Sequence, residues 1–402
     1  MRSSIFQTAD GRWVGFVTMG IRPDGSVDRR KRTAPTRADV TRKVRLLEQQ
    51  RAEASAVPAG RSPRLEDWLR DWLVATALRV RPSTLSGYRV DVDTHIVPAI
   101  GKHRLLALEP EHIEHLYTEL AAKGLAPGSV HHVRRTLNKA LNDALRRRRI
   151  VRNPVTLAHT PRYDPPEIEP LTVAEARRLL AAAEDERNGV AFMLAISLGL
   201  RRGEVLGLSW KDVELDAGRL HVRKQLERRN WRHGCVSPID CEESAAKCPQ
   251  RKDGGLVLSE LKTKQSRRTL PLPEPLVRAL RRHRQAQREA QIHAGSVWHD
   301  SGLVFTNTVG RPVAPRDHSV HWTEFLERVG VRPARLHDAR HTAATLLLVQ
   351  GVDQRVVMGM FGWTSPAMTT RYQHVVPELA EEASRRMTTA LWGEGVAEGS
   401  AR

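Results

Sequence analysis

The sequence predicts a multi-domain, mainly α chain with small β-sheets, an α+β protein in three parts. Apolar residues recur at helical spacing through residues 64–159 and again beyond residue 273. Alternating, turn-bounded stretches are few and short, so the sheets are small. The segment "ASAVPAGRSP", Ala54–Pro63, is rich in small residues with Pro and Gly, and reads as a linker.

The first part covers residues 1–57. In "GRWVGFVTMGI" the alternation Trp13, Gly15, Val17 between turn residues suits a strand. "RPDGS", Arg22–Ser26, is a turn, which predicts a hairpin or small sheet. A helix follows, with Thr36 as N-cap, Asp39 three residues on, and Val40, Val44 and Leu47 on one face.

The second part, residues 64–159, reads as four helices. Leu65, Trp68, Leu69, Trp72 and Leu73 form one apolar stripe. A second helix starts after Pro82 and stops at Pro98 and Gly101; a third ends at Gly124. Ser129 caps the fourth, with Val130, Val133, Leu137, Leu141 and Ala144 inward. It ends in Arg146, Arg147, Arg148 and Arg149, and Asn153-Pro154 breaks it.

The third part, residues 167–392, opens on a capping box of Thr172 and Glu175. Two helices precede a sheet of Gly218–Leu226, Gly255–Thr263 and Arg267–Pro273; helices follow. An insertion over residues 227–255 carries His233, Cys235, Cys241 and Cys248, which could supply four zinc ligands. Their spacing matches no common paired-Cys pattern, so no metal ligand is assigned; the alternative is three reduced cysteines in a polar loop.

Lys and Arg number 65 against 46 Asp and Glu, a net charge of +19. A surplus of that size repels itself and calls for a polyanionic partner. Arg outnumbers Lys, and its forked guanidinium pairs with phosphate in two places, which favours nucleic acid over a membrane surface. "DRRKR" beside the small core of the first part favours a DNA-contacting appendage over an enzyme. Arg146–Arg149 read either as phosphate contacts or as a solvated helix end complementing the dipole. Aromatic residues are only 5%, with no run suited to stacking RNA bases. No apolar run is long enough to span a bilayer, no N-terminal hydrophobic core of a signal peptide is seen, and three cysteines argue against a disulfide framework. The expected location is cytoplasmic, at the nucleoid.

Candidate chemistry starts at "MTTRYQHVV". One of only four tyrosines, Tyr372, directly follows Arg371 and stands two residues before His374. It is either a half-buried aromatic or a nucleophile, and a nucleophile needs cationic partners. "SLGLRRGEVLGLSW" supplies Arg201 at a helix junction, with Glu204 holding the turn. "RLHDARHTAATLLL" puts His337 and Arg340 on one helix face. "ELKTKQSRRTLPL" places Lys262 and Lys264 on a turn between strands, where a flexible cation reaches a leaving oxygen. Trp363 precedes the tyrosine in "GMFGWTSPAMTTRYQH". There is no P-loop and no acidic metal cluster in the sequence.

The order Arg201, Lys262, His337, Arg340, Trp363, Tyr372 resembles the active-site series of the tyrosine recombinases, also called phage integrases. "GLRRGE" resembles their first arginine motif, "LKTKQSRR" their strand-turn lysine, "HDARHTAAT" their H-x-x-R motif and "FGWTS" to "TTRYQH" their last stretch. "THIVPAIGKHRLLAL" is similar to their helical core-binding domain, and the first part resembles the arm domain of phage and conjugative-element integrases. Where the family usually has Gly-His, this chain has Gly362-Trp363; some members carry tryptophan there, and an indole N–H donates one hydrogen bond but shuttles no proton. The family pattern favours Lys262 over Lys264.

The resemblance implies that Tyr372 attacks a DNA phosphorus, forms a 3′-phosphotyrosyl bond and releases a 5′-hydroxyl. Arg201 and Arg340 would clamp the non-bridging oxygens, Lys262 would protonate the leaving oxygen, His337 would serve as base or relay, and Trp363 would donate to the phosphate. The covalent intermediate conserves bond energy, so no ATP is expected, and the two guanidiniums supply the charge that magnesium would otherwise provide, so no metal or other cofactor is expected. Implied partners are double-stranded attachment-site DNA, three further copies in a tetramer on synapsed sites, and an excisionase or host DNA-bending protein. The alternatives are a catalytically inactive DNA-binding relative and a type IB topoisomerase-like enzyme.

Overall fold

The computed structural model describes residues 3–21, 26–53, 62–164, 169–235, 241, 243–261, 266–363, 365, 384, 387–388 and 391. The chain divides into two compact units, Met1–Pro166 and Glu167–Arg402. Among the described residues no helix is long and apolar enough to cross a membrane.

The first unit begins with an antiparallel sheet of β1 (Ser4–Gln7), β2 (Trp13–Ile21) and β3 (Val27–Ala34) in that order. Sequence periodicity marks β2 alone; β3 is the basic stretch that reads only as charge, and β1 carries no signal of its own. Helix α1 (Arg37–Glu53) packs its Val40, Val44 and Leu47 face on the sheet. Gly15 makes this approach feasible, because a Cβ there would lie 2.3 Å from Val44 Cγ2. Thr36 caps α1 as expected, its hydroxyl accepting from the Asp39 amide at 3.2 Å.

The helical part holds α2 (Leu65–Ala77), α3 (Pro82–Val90), α4 (Val97–Ile100), α5 (Pro110–Ala122) and α6 (Pro127–Arg146). Pro98 does not stop the second expected helix. The turn over Asp91–Ile96 winds as π-helix, and the Val97 amide bonds to the Val92 carbonyl. That extra residue in the turn accommodates a proline that lacks an N–H and crowds a preceding carbonyl. Helix α6 starts at Pro127, with Ala126 rather than Ser129 as N-cap, because proline's fixed φ suits the first helical position. The apolar stripes of α2 and α6 are buried as read, and the Trp72 indole donates to Asp143 at 2.7 Å in the core.

The second unit opens with α7 (Val173–Ala182), closed by the Thr172–Glu175 box at 3.2 and 2.8 Å. Helix α8 (Gly189–Leu198) is buried along nearly its whole length and forms the centre of the core, with Phe192 stacked on Phe325 and edge-on to Trp322. Next come α9 (Arg202–Leu206), β4 (Val213–Glu214), β5 (Arg219–Val222), β6 (Lys224–Arg229), β7 (Gly255–Glu260) and β8 (Arg268–Pro271). The stretch expected as one strand over 218–226 is two. β5 joins β4 and β8 in one antiparallel sheet, while β6 turns away to pair with β7. Helices α10 (Glu274–Ala294), α11 (Pro315–Val329), α12 (Leu336–Val349) and α13 (Gln354–Phe361) complete the unit.

Candidate active site

Helix α8 ends where Gly199 enters the left-handed region at φ +62°, and the chain turns sharply into α9. A Cβ at Gly199 would lie 2.3 Å from the Phe361 ring, so glycine is needed for both its φ and its clearance. The turn places Arg201 as the residue preceding α9. Its backbone N–H donates to Glu204 Oε2 at 2.9 Å and its Nη1 to Glu204 Oε1 at 2.8 Å. Glu204 is only 2% exposed. It also binds Arg268 of β8 through two contacts, Nη2 to Oε2 at 2.9 Å and Nη1 to Oε1 at 3.2 Å. Burial raises the Glu204 carboxyl pKa, but Arg268 and then Arg201 outweigh it and hold the group below its ordinary range. Arg268 in turn donates from Nε to the Met360 carbonyl at 2.5 Å, tying β8 to α13.

Arg340 of α12 lies in the interior at 2% exposure. Its Nη1 donates to the Gly199 carbonyl and its Nη2 to the Phe361 carbonyl at 2.6 Å. The guanidinium carbon sits 4.7 Å from the Phe361 ring centroid and 5.6 Å from that of Trp363. Gly362, at φ +60°, ends α13 and turns the chain so that Trp363 is buried against Phe361, with ring centroids 5.0 Å apart. One side chain therefore joins the turn carrying Arg201, the helix carrying His337 and the helix end carrying Trp363.

His337, itself exposed, stands in the otherwise buried first turn of α12, its ring 4.8 Å from that of buried His341 in an edge-on arrangement. Packing around the ring disfavours the charged form, and Arg340 and Arg201 push in the same direction against Asp338; the His337 pKa is lowered. His341 is brought down to about 4 by burial and then by His337, so it is neutral at physiological pH. Asp338 is occupied by Arg335, accepting from its backbone N–H at 2.8 Å and its Nη2 at 2.8 Å.

The fold thus brings Arg201, His337, Arg340 and Trp363 together. Lys262, Lys264 and Tyr372 lie outside the described residues. The sequence reading missed Arg268. Its signal was the period of two in β8, which puts Arg268 on the same strand face as buried Leu270.

Elsewhere, the arginine run after α6 is divided. Arg146 pairs with Asp143, and Arg147 lies 5.7 Å over the Trp68 ring. Arg148, at φ +55°, and Arg149 are exposed. Two of the four expected phosphate contacts are therefore engaged with the helices themselves. In the insertion, the ligand atoms of His233, Cys235, Cys241 and Cys248 all lie within 4.8 Å of one another, although their spacing argued against a metal site.

Residues 169–378 match the phage integrase family, and residues 64–121 match the phage integrase N-terminal SAM-like domain. An integrase of Saccharopolyspora erythraea is 38% identical, covering 98% of this chain and 97% of that one. The Tn1549 transposon integrase in complex with transposon right end DNA superposes with a TM-score of 0.63 at 17% identity, over 82% of this chain and 99% of that one. A lambda integrase tetramer bound to a Holliday junction gives 0.52 at 15%, over 90% and 95%. The fold and sequence are those of a tyrosine-type site-specific DNA recombinase. The chain belongs to the phage integrase family.

Proposed function

We propose that this chain cuts and rejoins DNA at the ends of a phage or mobile element, with Tyr372 as nucleophile. The observation that carries this reading is Arg340, whose bonds to the Gly199 and Phe361 carbonyls gather Arg201, His337 and Trp363. The Tyr372 oxygen attacks phosphorus, a 3′-phosphotyrosyl bond forms and the 5′-oxygen leaves with a proton from Lys262. Arg201 and Arg340 stabilise charge on the non-bridging oxygens, an effect worth about 3 kcal/mol or more per donor. His337 takes the phenolic proton; its lowered pKa keeps the imidazole neutral and able to accept. Trp363 supplies an indole N–H to the phosphate, its ring fixed by Phe361 and Arg340.

On this reading residues 1–57 bind arm-type DNA sites, 64–159 bind the core site and 167–392 carry the chemistry. Arg148 and Arg149 reach the phosphate backbone. The proposed partners are double-stranded DNA and three further copies in a homotetramer on synapsed sites; a lambda integrase of similar fold is a tetramer bound to a Holliday junction. An excisionase or host DNA-bending protein would set direction, in the cytoplasm.

The test is a nicked suicide duplex from the element's own ends, incubated with wild type and Tyr372→Phe in EDTA. A covalent protein–DNA band in the wild type alone supports the reading. Absence of the band on DNA that the protein binds would leave a binding protein without catalysis.

A further inference from the structure

We infer that His233, Cys235, Cys241 and Cys248 form a zinc site that closes the far end of the β6–β7 ribbon. The ribbon runs in register from Lys224 opposite Glu260 to Arg229 opposite Gly255. Beyond it, Arg232 and Lys252 form one more antiparallel bridge, with both N–H···O bonds at 2.9 Å. Arg251 covers the Trp231 ring at 4.7 Å and donates to the Ala246 carbonyl at 2.7 Å. This folded end delivers His233 and Cys235 from one side and Cys248 from the other.

Gly234, between the first two ligands, lets the sides approach. A Cβ there would lie 1.9 Å from the Gln250 carbonyl oxygen. Cys248 is 1% exposed, and the backbone amides of Gly234 and Gln250 donate toward its sulfur. Such amide bonds orient and support a metal-bound thiolate.

The distances fit a tetrahedral ion. Zinc–sulfur bonds of about 2.3 Å and zinc–nitrogen bonds of about 2.0–2.1 Å put neighbouring ligand atoms roughly 3.6–3.8 Å apart. Cys235 Sγ lies 4.0 Å from Cys248 Sγ and 3.8 Å from His233 Nδ1. A disulfide would draw the two sulfurs to about 2.05 Å and leave His233 and Cys241 without a role. Three thiolates and one imidazole, with no fifth ligand atom in the group among the described residues, match a closed structural site for zinc rather than a catalytic one. Strand β7 runs from this end to Glu260, two residues before Lys262 in the sequence. Metal binding would therefore fix one end of a ribbon whose other end directly precedes the proposed acid in the chain.

The experiment uses the full chain, purified without a polyhistidine tag, and metal analysis by mass spectrometry. About one zinc per chain is expected, bound by Cys₃His. Cys235→Ser and Cys248→Ser should each lose most of it. Cobalt(II) reconstitution of the wild type should give strong thiolate charge-transfer and tetrahedral d–d bands, a readout independent of recombination and of whether the variants fold. Wild type free of zinc, with three thiols reacting in the native state, would overturn the inference. So would an intact mass short by two hydrogens under non-reducing conditions, or weak octahedral cobalt bands.

Discussion

Replacing Glu204 by Ala should remove the one carboxylate that serves two guanidiniums in the core of the catalytic unit. Arg268 would keep only 6% of its side chain exposed, with its bonds to the Ser266 and Met360 carbonyls but no counter-charge. Breaking a buried pair from one side typically costs about 3–5 kcal/mol, because the surviving charge stays desolvated. Arg201, at 36% side-chain exposure, would lose its restraint but not its hydration, so most of the cost belongs to Arg268. Urea denaturation of the full chain, with hydrogen exchange over residues 199–210 and 266–273, measures the loss and its location. A double variant, Glu204→Leu with Arg268→Met, should recover much of the stability, since both charges go together. It should not recover strand cleavage, because Arg201 is still unheld. The pH dependence has a fixed sign. A carboxyl depressed below 4.5 in the folded state gives its full stabilisation above that value and loses it as pH falls through the folded pKa. A cost under about 1 kcal/mol for Glu204→Ala, or unchanged cleavage, would refute the view that this carboxylate organises the site.

Arg340→Lys keeps the charge but cannot reach the Gly199 and Phe361 carbonyls together; covalent-complex formation should fall by about 10²-fold or more while DNA binding is retained, as a gel shift and a cleavage time course would show. If neutral His337 accepts the phenolic proton, cleavage is level at neutral pH and declines as pH falls through a value below 6.5, and His337→Asn abolishes that limb; a limb centred above 6.5 contradicts the site's electrostatics. Arg148→Ala and Arg149→Ala should weaken binding across all sequences and each reduce the slope of log affinity against log salt by about 0.9. Arg146→Ala and Arg147→Ala should instead lower the melting temperature of the helical unit with little change in that slope, as anisotropy titrations and thermal melts would reveal.

Local patterns were legible where the force is local. The α2 stripe, the inward positions of α6 and the Thr172–Glu175 box follow from spacing of three and four residues. Four site residues could be named because their motifs are short and their neighbours distinctive. What was hidden depends on partners far along the chain. Arg268 gains its meaning from Glu204, 64 residues away, and Arg340 from a carbonyl 141 residues away. The split between β5 and β6 is decided by two different pairing partners, β8 and β7, and no alternation within residues 218–226 records it. Pro98 reads as a stop because a π turn is a tertiary accommodation with no sequence mark of its own. The four metal-ligand candidates look scattered for the same reason, since the ribbon rather than the spacing gathers them.

The Glu204 arrangement has a thermodynamic corollary. One carboxylate shared by Arg201 and Arg268 leaves this trio with a surplus positive charge, and Arg201 faces solvent. On the proposed function, the anion that balances this surplus is a backbone phosphate of the DNA. Binding it there would link ligation to the folding of this region, so that each strengthens the other.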